Sequence, residues 1–515
     1  MNDAQVLIAG AGPTGLVLAL FLTRQGIRVR IIDPVPEPGT TSRALVVQAR
    51  TLEFYRQVGI ADAVVENAAE FTGVNLWVEG RKAAHVAIGA IGAGLSPFPY
   101  LTVFPQDEHE RLLIERLTAE GVAVERGTSL QGFEETGDRV RAHLTRADGS
   151  GDRCDVEYLA GCDGARSRVR ELFHTTFLGG TYDRLFFVAD VAVAGPVADG
   201  DLHLALDDGD FLAVFPMKGR GRARFIGTVL KDAATDATPL EWSDVSHAIV
   251  ERLKVTVEHV NWFSTYRVHH RIAGQFRKGR AFLLGDAAHI HSPVGGQGMN
   301  TGIGDAVNLA WKLAAVLNGC AVARVLDTYE PERIAFARQL VRTTDRAFSL
   351  VTSNGPIARW VRLHVVPRVL PPFFEFTAVR RLLFRTVSQI GVQYRSSALS
   401  AGDGAQGRGG DRLPWVAPAD RAPGASDNFT ALTTLDWQVH IYGDAAAAVT
   451  AMCAARGVAL HVYPWQPAMA GTGLERNALY LIRPDGYIAV ADRGVHPAKL
   501  GQYLTDWEVR TRTTN

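Results

Sequence analysis

The stretch Gly10-Ala11-Gly12-Pro13-Thr14-Gly15 decides the fold, because it joins a strand-like run over 6–9 to a helix-like run over 16–24. A second strand-like run over 27–32 ends at an acidic residue, Asp33. Strand, glycine-rich turn, helix, strand and terminal acid, in this order, predict a βαβ unit that binds a dinucleotide. The alternative interpretation is a glycine-rich turn in an ordinary βαβ unit.

Each glycine of this turn has a physical role in the dinucleotide interpretation. Gly10 permits a tight turn, Gly12 lets the backbone approach a pyrophosphate, and Gly15 lets helix and strand pack closely. The helix N-terminus offers free N–H groups and a positive dipole to the phosphates. The Asp33 carboxylate is placed to accept hydrogen bonds from ribose hydroxyls.

Length and composition exclude several classes of protein. The 515 residues exceed one typical domain and predict two or three. The 54 basic and 54 acidic residues cancel, so net charge indicates neither a nucleic acid nor an anionic membrane as partner. The cysteines form no C-x-x-C pair, which predicts neither a metal site nor a disulfide framework. No signal peptide or long apolar run is visible, so we expect a cytoplasmic protein that does not enter a membrane.

Periodicity gives a coarse organisation for the rest of the chain. Apolar and polar residues alternate over 71–104 and 181–270, which predicts antiparallel strands. Helical spacing predicts helices over 106–120 and about 300–317. Residues 330–395 predict surface helices in which arginines alternate with large apolar residues; a membrane-surface helix is the alternative.

The last part of the chain has a composition of its own. Residues 400–428 are rich in Gly, Ala, Pro and Asp and predict a linker. Beyond them we predict a βαββα order, with a hairpin over 478–490 that turns at Pro484-Asp485-Gly486 and a helix from about 497.

Two further segments place an acid after a strand. Asp286 follows the apolar run that ends at Gly285, and a glycine-rich turn then leads into the long helix. Such a turn exposes backbone N–H groups and favours an anion or an electron-rich carbonyl, as at N1 and O2 of a reduced flavin. Cys162-Asp163-Gly164 ends another strand-like run. Taken alone, each segment also fits a glycine-rich loop or turn with an acid at the start of a helix.

Together the three segments resemble the single-component FAD-dependent monooxygenases, the aromatic hydroxylase family, over roughly residues 1–400. The run from Tyr100 to Arg111 resembles the phenol and pentachlorophenol hydroxylase branch, and the tail resembles the thioredoxin-like C-terminal domain of phenol and aromatic polyketide hydroxylases. The resemblance implies an α/β fold, with a Rossmann-like FAD-binding domain of the para-hydroxybenzoate hydroxylase type and an interleaved, mainly antiparallel substrate sheet.

The implied domains are discontinuous. The FAD-binding domain comprises 1–70, 101–180 and 272–350, and the substrate-binding sheet comprises 71–100 and 181–271. A helical segment over 351–400 and a thioredoxin-like domain over 401–515 follow. The last domain lacks a C-x-x-C motif, so we expect a structural or dimer-contact role for it.

The resemblance also assigns residues to the cofactor. The implied FAD-binding residues are Gly10, Gly12, Gly15, Asp33, Arg43, Gln106, Asp163, Gly285, Asp286, Pro293, Gly298, Met299 and Asn300. The backbone at Pro293, Gly295 and Gly296 is expected to line the flavin pocket, where no side chain is assigned as acid or base. No metal is expected.

The implied reaction is hydroxylation of a small phenolic or polycyclic aromatic substrate. NADPH or NADH would reduce bound FAD, and the reduced flavin would react with O2 to give a C4a-hydroperoxide that transfers one oxygen atom, as an electrophilic OH, to the aromatic ring, while the other oxygen atom ends in water. A Baeyer–Villiger or other oxygenation of a natural product on the same fold stays open. A flavin halogenase would carry a Trp-x-Trp-x-x-Pro motif, which is absent. A non-catalytic flavin-binding protein is a third hypothesis, and the acids Asp33, Asp163 and Asp286 argue against it. The expected partners are the aromatic substrate and O2, with a homodimer as the expected assembly.

Substrate residues are predicted from aromatic positions near the expected sheet. We select Tyr100, Phe211, Phe215 and Tyr266 as pocket candidates, with Trp262 beside them, although core packing is an alternative for each. For binding a phenolate, the candidate bases and cations are His203, His269, Arg222 and Arg224. The alternation of Arg220, Arg222 and Arg224 also predicts like charges on a solvated strand face.

Overall fold

The structure is a computed structural model that describes residues 4–39, 44–206, 211–229, 240–245, 248–292, 294–352, 355, 360–402, 407–418 and 426–512. For residues 183–184, 294, 345–352 and 362, only the backbone is described. Three units follow from these residues: a parallel sheet with helices, a large antiparallel sheet, and a C-terminal unit over 426–512.

A six-stranded sheet organises the first unit, and we call it the parallel sheet. Its first βαβ unit is Val6–Ala9, Pro13–Arg24 and Val29–Asp33, as the fingerprint predicts. Val6–Ala9 is buried along its whole length, because helices cover both faces of such a sheet. In spatial order the strands are Arg277–Lys278, Ala281–Leu283, Tyr158–Gly161, Val6–Ala9, Val29–Asp33 and Val124–Arg126, and all adjacent pairs except the first are parallel.

Two apolar helices cross in the centre of this unit. Gly298–Leu317, which we call the long helix, packs along Pro13–Arg24. Residues 300–314 of the long helix are all buried, so it is surrounded by protein rather than lying on the surface. The other helices of residues 44–387 are Ala49–Gln57, Ala61–Asn67, Gln106–Ala119, Arg168–Phe173, Ala248–Arg252, Tyr329–Thr352, Val366–Glu375 and Thr377–Val387.

The second unit is an eight-stranded sheet, the large sheet, which the chain enters twice. Its central pair, Phe177–Ala194 and Thr256–Ala273, runs antiparallel over 18 residues each. In spatial order the strands are His289–Ile290, Thr256–Ala273, Phe177–Ala194, Arg222–Thr228, Phe211–Pro216, Leu202–Leu206, Gly73–Val78 and Arg81–Ala87. The predicted antiparallel strands over 71–104 and 181–270 are therefore confirmed in outline, although Leu202–Leu206 and Gly73–Val78 run parallel.

Strand alternation gives the large sheet two different faces. Phe187, Leu212 and Phe225 point into a separate apolar cluster on one side. Phe215 points the other way and packs against the core that contains the parallel sheet. The large sheet therefore packs against the first unit with one face.

Two small sheets complete residues 44–160. One of them is a meander of three antiparallel strands. They are Ser129–Thr136, Arg139–Thr145 and Gly151–Val156. The second small sheet joins Val46–Val47, Thr102–Val103 and Ala69–Glu70.

The C-terminal unit has the order β-α-β-α-β-β-α, which is one strand and one short helix more than the predicted βαββα order. The strands lie in the order Ala459–Tyr463, Gln438–Tyr442, Leu479–Ile482, Ile488–Asp492, with the first pair parallel and the others antiparallel. Its helices are Ala447–Arg456, Pro467–Ala470 and Pro497–Asp506.

Side chains of the helix Ala49–Gln57 fasten this unit to the rest of the chain. Arg56 Nη1 lies 2.6 Å from Asp427 Oδ2, and Arg50 Nη2 donates to the Asp485 carbonyl at 2.6 Å. Arg412, in the segment that precedes this unit, forms an ion pair with the buried Glu53 of the same helix. The C-terminal unit is therefore held by buried polar contacts rather than carried on a free tether.

The linker predicted over 400–428 is wrong for residues 407–418. A Cβ on Gly409 would lie 2.5 Å from the Ala401 amide nitrogen, and one on Gly410 would lie 2.4 Å from the Tyr394 carbonyl carbon. The glycines allow close packing here instead of flexibility. Within the described part of the chain, no helix combines the length and the apolar character needed to cross a bilayer.

Candidate active site

The first glycine turn has the geometry that a dinucleotide requires. Gly10 has φ +104, and a Cβ there would lie 2.3 Å from the Cys162 carbonyl oxygen. A Cβ on Gly15 would lie 2.0 Å from the Gly10 carbonyl oxygen, which confirms the predicted close packing of helix on turn. Gly12 is different, since a Cβ there would have no atom within 4 Å. The open space beside Gly12 is where a ligand can approach the backbone.

Asp33 lies beside this turn at the end of its strand. Its Oδ2 accepts from the Ala11 amide at 2.8 Å, and its Oδ1 accepts from the Val35 amide at 2.9 Å. Arg126 Nη1 lies 3.6 Å from Oδ1. The carboxylate therefore fixes the turn and keeps further acceptor lone pairs for a ribose.

The turns after three parallel strands meet at one edge of the parallel sheet. The Gly10 turn touches Cys162, next to Asp163, through the close approach described above. Thr14 joins the third turn, because a Cβ on Gly285 would lie 2.7 Å from its Oγ1. A Cβ on Gly302 of the long helix would lie 2.3 Å from the same oxygen. Small residues thus allow the three segments to converge, as the sequence predicts.

Asp286 is exposed in a turn whose other residues, Gly285 and Ala287, are buried. The turn itself is held from behind by Asp305, whose Oδ2 accepts from the Gly285 amide at 2.9 Å. Burial alone would raise the pKa of Asp305, but the Arg333 guanidinium and His289 hold that pKa below its ordinary value. The buried Asp305 carboxylate therefore holds the turn that carries the exposed Asp286.

The glycine-rich turn before the long helix is held by Asn300. Asn300 Nδ2 donates to the Gly296 and Val46 carbonyls at 2.8 Å each, and Oδ1 accepts from the Gln48 amide at 2.8 Å. Gln48 Nε2 donates to the Gly295 carbonyl at 2.9 Å. Gly295 and Gly296 have φ of 77° and 61°. The Asn300 side chain is engaged within the protein, so its part in binding a cofactor stays a prediction that concerns its backbone.

Asp163 accepts hydrogen bonds from the first amides of the helix Arg168–Phe173, whose N-cap residue is Ser167. Its Oδ2 accepts from the Arg168 and Val169 amides at 2.7 and 3.1 Å, and its Oδ1 accepts from the Ser167 hydroxyl at 2.6 Å. The pKa of Asp163 lies above its ordinary value, because the effect of burial exceeds the opposing effect of these hydrogen bonds. Gln106 begins the helix Gln106–Ala119 and donates to Glu110 Oε1 at 2.8 Å. Roles of Asp163 and Gln106 at a cofactor stay predictions.

The remaining predicted cofactor residues divide into two groups. Gly298 and Met299 are half-buried in the first turn of the long helix, where the N–H groups lack helical partners. Arg43 and Pro293 lie outside the described residues.

Three of the four predicted substrate residues lie on strands of the large sheet. Phe186 pairs with Tyr266, Asp190 pairs with Trp262, and Phe215 pairs with Arg224 across adjacent strands. Alternation places Tyr266, Trp262 and Phe215 on the face opposite the separate apolar cluster, and Phe211 follows the same alternation as Phe215. Tyr100 lies outside this sheet and is half-buried against the core. Contact of these residues with a substrate stays a prediction.

Two of the candidate bases and cations have partners that the sequence did not indicate. Arg224, predicted on a solvated face, is 1% exposed, and its Nε and Nη2 donate to the two Asp190 oxygens at 2.5 and 2.6 Å. The alternation of arginines wrongly predicts a solvated position for Arg224, because pairing with Asp190 allows its charge to be buried. His203 is buried, where Nδ1 accepts from Trp77 Nε1 at 2.9 Å and Nε2 contacts Asp199 Oδ1 at 2.7 Å. His203 is therefore a structural histidine.

The other two candidates lie nearer the surface. Arg222 is exposed, as predicted, with Glu108 Oε1 at 3.7 Å from Nη2. His269 Nδ1 lies 2.7 Å from the Thr181 hydroxyl, and burial together with nearby cations lowers its pKa.

Sequence reasoning missed the residues that hold the site from behind. Asp305 and Arg333 belong to no motif that the sequence shows, and Thr14 lies within the first glycine-rich turn, where only the glycines were assigned roles. One signal was available, since Asp305 is an acidic residue in a helix whose sequence is mostly apolar. An acid on the buried side of such a helix requires a partner.

The arrangement fits FAD on grounds of geometry and charge. Backbone space at Gly12 and a helix N-terminus suit a pyrophosphate. Asp33 and the exposed Asp286 provide acceptors for hydroxyl groups on either side of it. The first turn of the long helix provides N–H groups for an electron-rich ring edge.

Comparisons with known proteins agree with this geometry. The family model described as "FAD binding domain" matches residues 3–344. The chain is 36% identical to a 6-methylpretetramide 4-monooxygenase of Streptomyces rimosus over 95% of this chain and 90% of that protein. It is 31% identical to a pentachlorophenol 4-monooxygenase of Sphingobium chlorophenolicum over 82% of this chain and 76% of that protein.

A solved structure extends the similarity to the whole chain. It is a ternary complex of an aklavinone-11 hydroxylase with FAD and aklavinone, with a TM-score of 0.79 and 27% identity. The match covers 98% of this chain and 99% of that one. The similarity includes the C-terminal unit as well as the two sheets.

Proposed function

This chain belongs to the FAD binding domain family and is an FAD-dependent aromatic hydroxylase, and we propose that its substrate is a phenolic, polycyclic compound. We propose that the substrate binds between the parallel sheet and the large sheet. The observation that carries this proposal is the convergence of three glycine-and-acid turns at one edge of the parallel sheet. The face of the large sheet that carries Phe215 and Tyr266 covers that unit.

We propose a role for each part of the site. The Gly12 backbone and the start of Pro13–Arg24 bind the pyrophosphate, and Asp33 accepts from the adenosine ribose. Asp286 accepts from the ribityl hydroxyls. The backbone of 295–300 contacts the electron-rich edge of the ring, which the dipole of the long helix stabilises.

When bound, FAD supplies the redox chemistry, accepting hydride from NADPH or NADH and activating O2. The protein contributes position and exclusion of water. Flat aromatic side chains at Phe211, Phe215, Trp262 and Tyr266 suit a planar polycyclic substrate, because offset stacking favours ring against ring. The 36% identical relative named for 6-methylpretetramide and the aklavinone complex support a polyketide-type aromatic as substrate.

We further propose the domain division of 1–70, 101–180 and 272–350 for FAD, 71–100 and 181–271 for substrate, a helical segment over 351–400, and 401–515 as a thioredoxin-like domain. The strand order of the C-terminal unit and its parallel first pair support the last assignment. The four cysteines are all free, which supports a cytoplasmic location. A homodimer stays a prediction that light scattering would check.

NAD(P)H oxidation under 18O2 tests the proposed function. We expect the FAD-loaded protein to oxidise NADPH or NADH faster when a phenolic polycycle is present, and to place one 18O atom in the product. Omitting the aromatic compound, with catalase present, measures the uncoupled rate as the control. Failure of both nucleotides to reduce bound flavin would overturn the proposal, and NMR of the product separates ring hydroxylation from oxygen insertion into a ring.

A further inference from the structure

The turn that carries Asp286 is connected to the C-terminal unit by a continuous chain of buried groups. The chain begins at Asp305, which is 0% exposed. Its Oδ2 accepts from the Gly285 amide and contacts His289 Nε2 at 2.8 Å, while its Oδ1 accepts from Arg333 Nε at 2.6 Å. Asp305 thus couples the turn to the helix Tyr329–Thr352.

Arg333 continues the chain with its other nitrogens. Nη1 donates to the Tyr394 hydroxyl at 2.6 Å, and Nη2 donates to the Thr301 carbonyl at 3.1 Å. Thr301 belongs to the first turns of the long helix, next to Asn300. The guanidinium therefore fixes two parts of the candidate site together, the Gly285 turn and the start of the long helix.

Tyr394 passes the connection to the C-terminal unit. Its ring centroid lies 4.4 Å from that of Tyr487, and the guanidinium carbon of Arg483 lies 5.3 Å from the Tyr394 ring centroid. Arg483 is itself fixed by Glu332, at 2.8 Å from Nη1, and by Asp485, at 2.6 Å from Nη2. Tyr394, Arg483 and Glu332 are nearly or completely buried.

We propose that Asp305, Arg333 and Tyr394 are positioning residues for FAD, and that the hairpin Leu479–Asp492 acts through them on cofactor affinity. This inference rests on the proposed function. Charged groups in a buried network have few alternative positions, because an unpaired charge in low dielectric is costly. Movement of the hairpin therefore changes the geometry of the Gly285 turn, and a cofactor bound at that turn orders the hairpin in return.

The substitution Tyr394→Phe tests the connection, because it removes the oxygen that accepts from Arg333 and keeps the ring. We expect the FAD dissociation constant, from flavin fluorescence titration, to rise about tenfold, which is within the range that coupling between two sites typically produces. Tyr442→Phe is the matched control: its buried hydroxyl accepts from Asn428 Nδ2 at 2.8 Å within the C-terminal unit, away from the chain. We expect it to leave FAD affinity within twofold of wild type.

Hydrogen exchange of the wild-type protein tests the reciprocal effect without a substitution. On addition of FAD, we expect amides of Leu479–Ile482 and Ile488–Asp492 to become more protected, while those of the edge strand Ala459–Tyr463 change little. Equal FAD affinity of the two tyrosine variants, or a hairpin whose exchange does not respond to FAD, would overturn the inference. Wild-type protein that binds no FAD would instead overturn the proposed function.

Discussion

Asp286 is exposed in a turn whose other two residues, Gly285 and Ala287, are buried. The backbone of the turn is restrained, because the Gly285 amide donates to Asp305. The position of the Asp286 backbone is therefore pre-organised, which lowers the entropy cost of binding a ligand there.

We expect Asp286→Asn to weaken FAD binding at least tenfold, since charged acceptors contribute about 1.5–3 kcal/mol per hydrogen bond. The flavin absorbance per mole of purified protein measures retention, and a titration of the apoprotein gives the dissociation constant. Asp138→Asn, in an exposed turn of the small meander, provides the control. A yellow variant with full flavin content would contradict the assignment of Asp286.

Single residues also show why the sequence predicts some parts of the site and not others. Gly10, Gly15 and Gly285 were predictable because their neighbours along the chain impose the geometry. Arg224 was not, since its partner Asp190 lies 34 positions away and a strand pattern does not reveal burial of a charge. Asp305 and Arg333 are likewise joined only by the fold.

At the scale of elements, the junction of the first strand and helix separates two roles of glycine. Gly15 exists for packing within the protein, whereas Gly12 borders open space. Substitution by alanine should therefore lower stability at Gly15 and cofactor affinity at Gly12.

We expect Gly15→Ala to lower the free energy of unfolding of the apoprotein by about 1–3 kcal/mol, as overpacking does. Gly12→Ala should leave apoprotein stability nearly unchanged and lower FAD affinity, because the added methyl group occupies the space a pyrophosphate needs. Urea unfolding of the apoprotein and FAD titration check the two effects separately. Equal loss of stability in both variants would show that the space beside Gly12 is not a ligand site.

The predicted element order is mostly correct because apolar residues and turn residues recur at the spacing that each element requires. The helix expected over about 300–317 is Gly298–Leu317, and the hairpin around Pro484-Asp485-Gly486 is Leu479–Ile482 with Ile488–Asp492. The segment 407–418 was misinterpreted, because composition does not distinguish a flexible glycine from one in a tight contact. The predicted thioredoxin-like character of the tail stays an interpretation of its strand order.

At the scale of the whole molecule, the first unit and the C-terminal unit share buried charges as well as apolar surface, because Arg483 donates to Glu332. Lys312 of the long helix is 0% exposed, and its Nζ donates to Glu332 Oε2 at 2.9 Å and to Asn308 Oδ1 at 2.8 Å. Burial lowers the pKa of Lys312 to about 8, although Glu332 raises it. The unfolded chain therefore binds a proton at Lys312 between pH 8 and about 10.5 that the folded protein has released.

Lys312 makes the free energy of unfolding rise with pH between pH 8 and about 10.5, because the unfolded state binds more protons there than the folded state. We expect wild type to gain on the order of 3 kcal/mol relative to Lys312→Met between pH 8 and 10.5. Urea unfolding of both proteins at several pH values measures the difference. Lys218→Met, at an exposed position, should show no such trend, and parallel curves for wild type and Lys312→Met would contradict the expectation.

The parallel sheet also imposes an order on biosynthesis. Tyr158–Gly161 has Val6–Ala9 on one side and Ala281–Leu283 on the other. When the first 200 residues have been synthesised, Tyr158–Gly161 is therefore an unpaired edge strand, because Ala281–Leu283 has not yet been translated. Unpaired edge strands promote aggregation with other chains. Native pairing needs the second half of the polypeptide, so we expect yield in a heterologous host to follow chaperone supply and slower translation at low temperature.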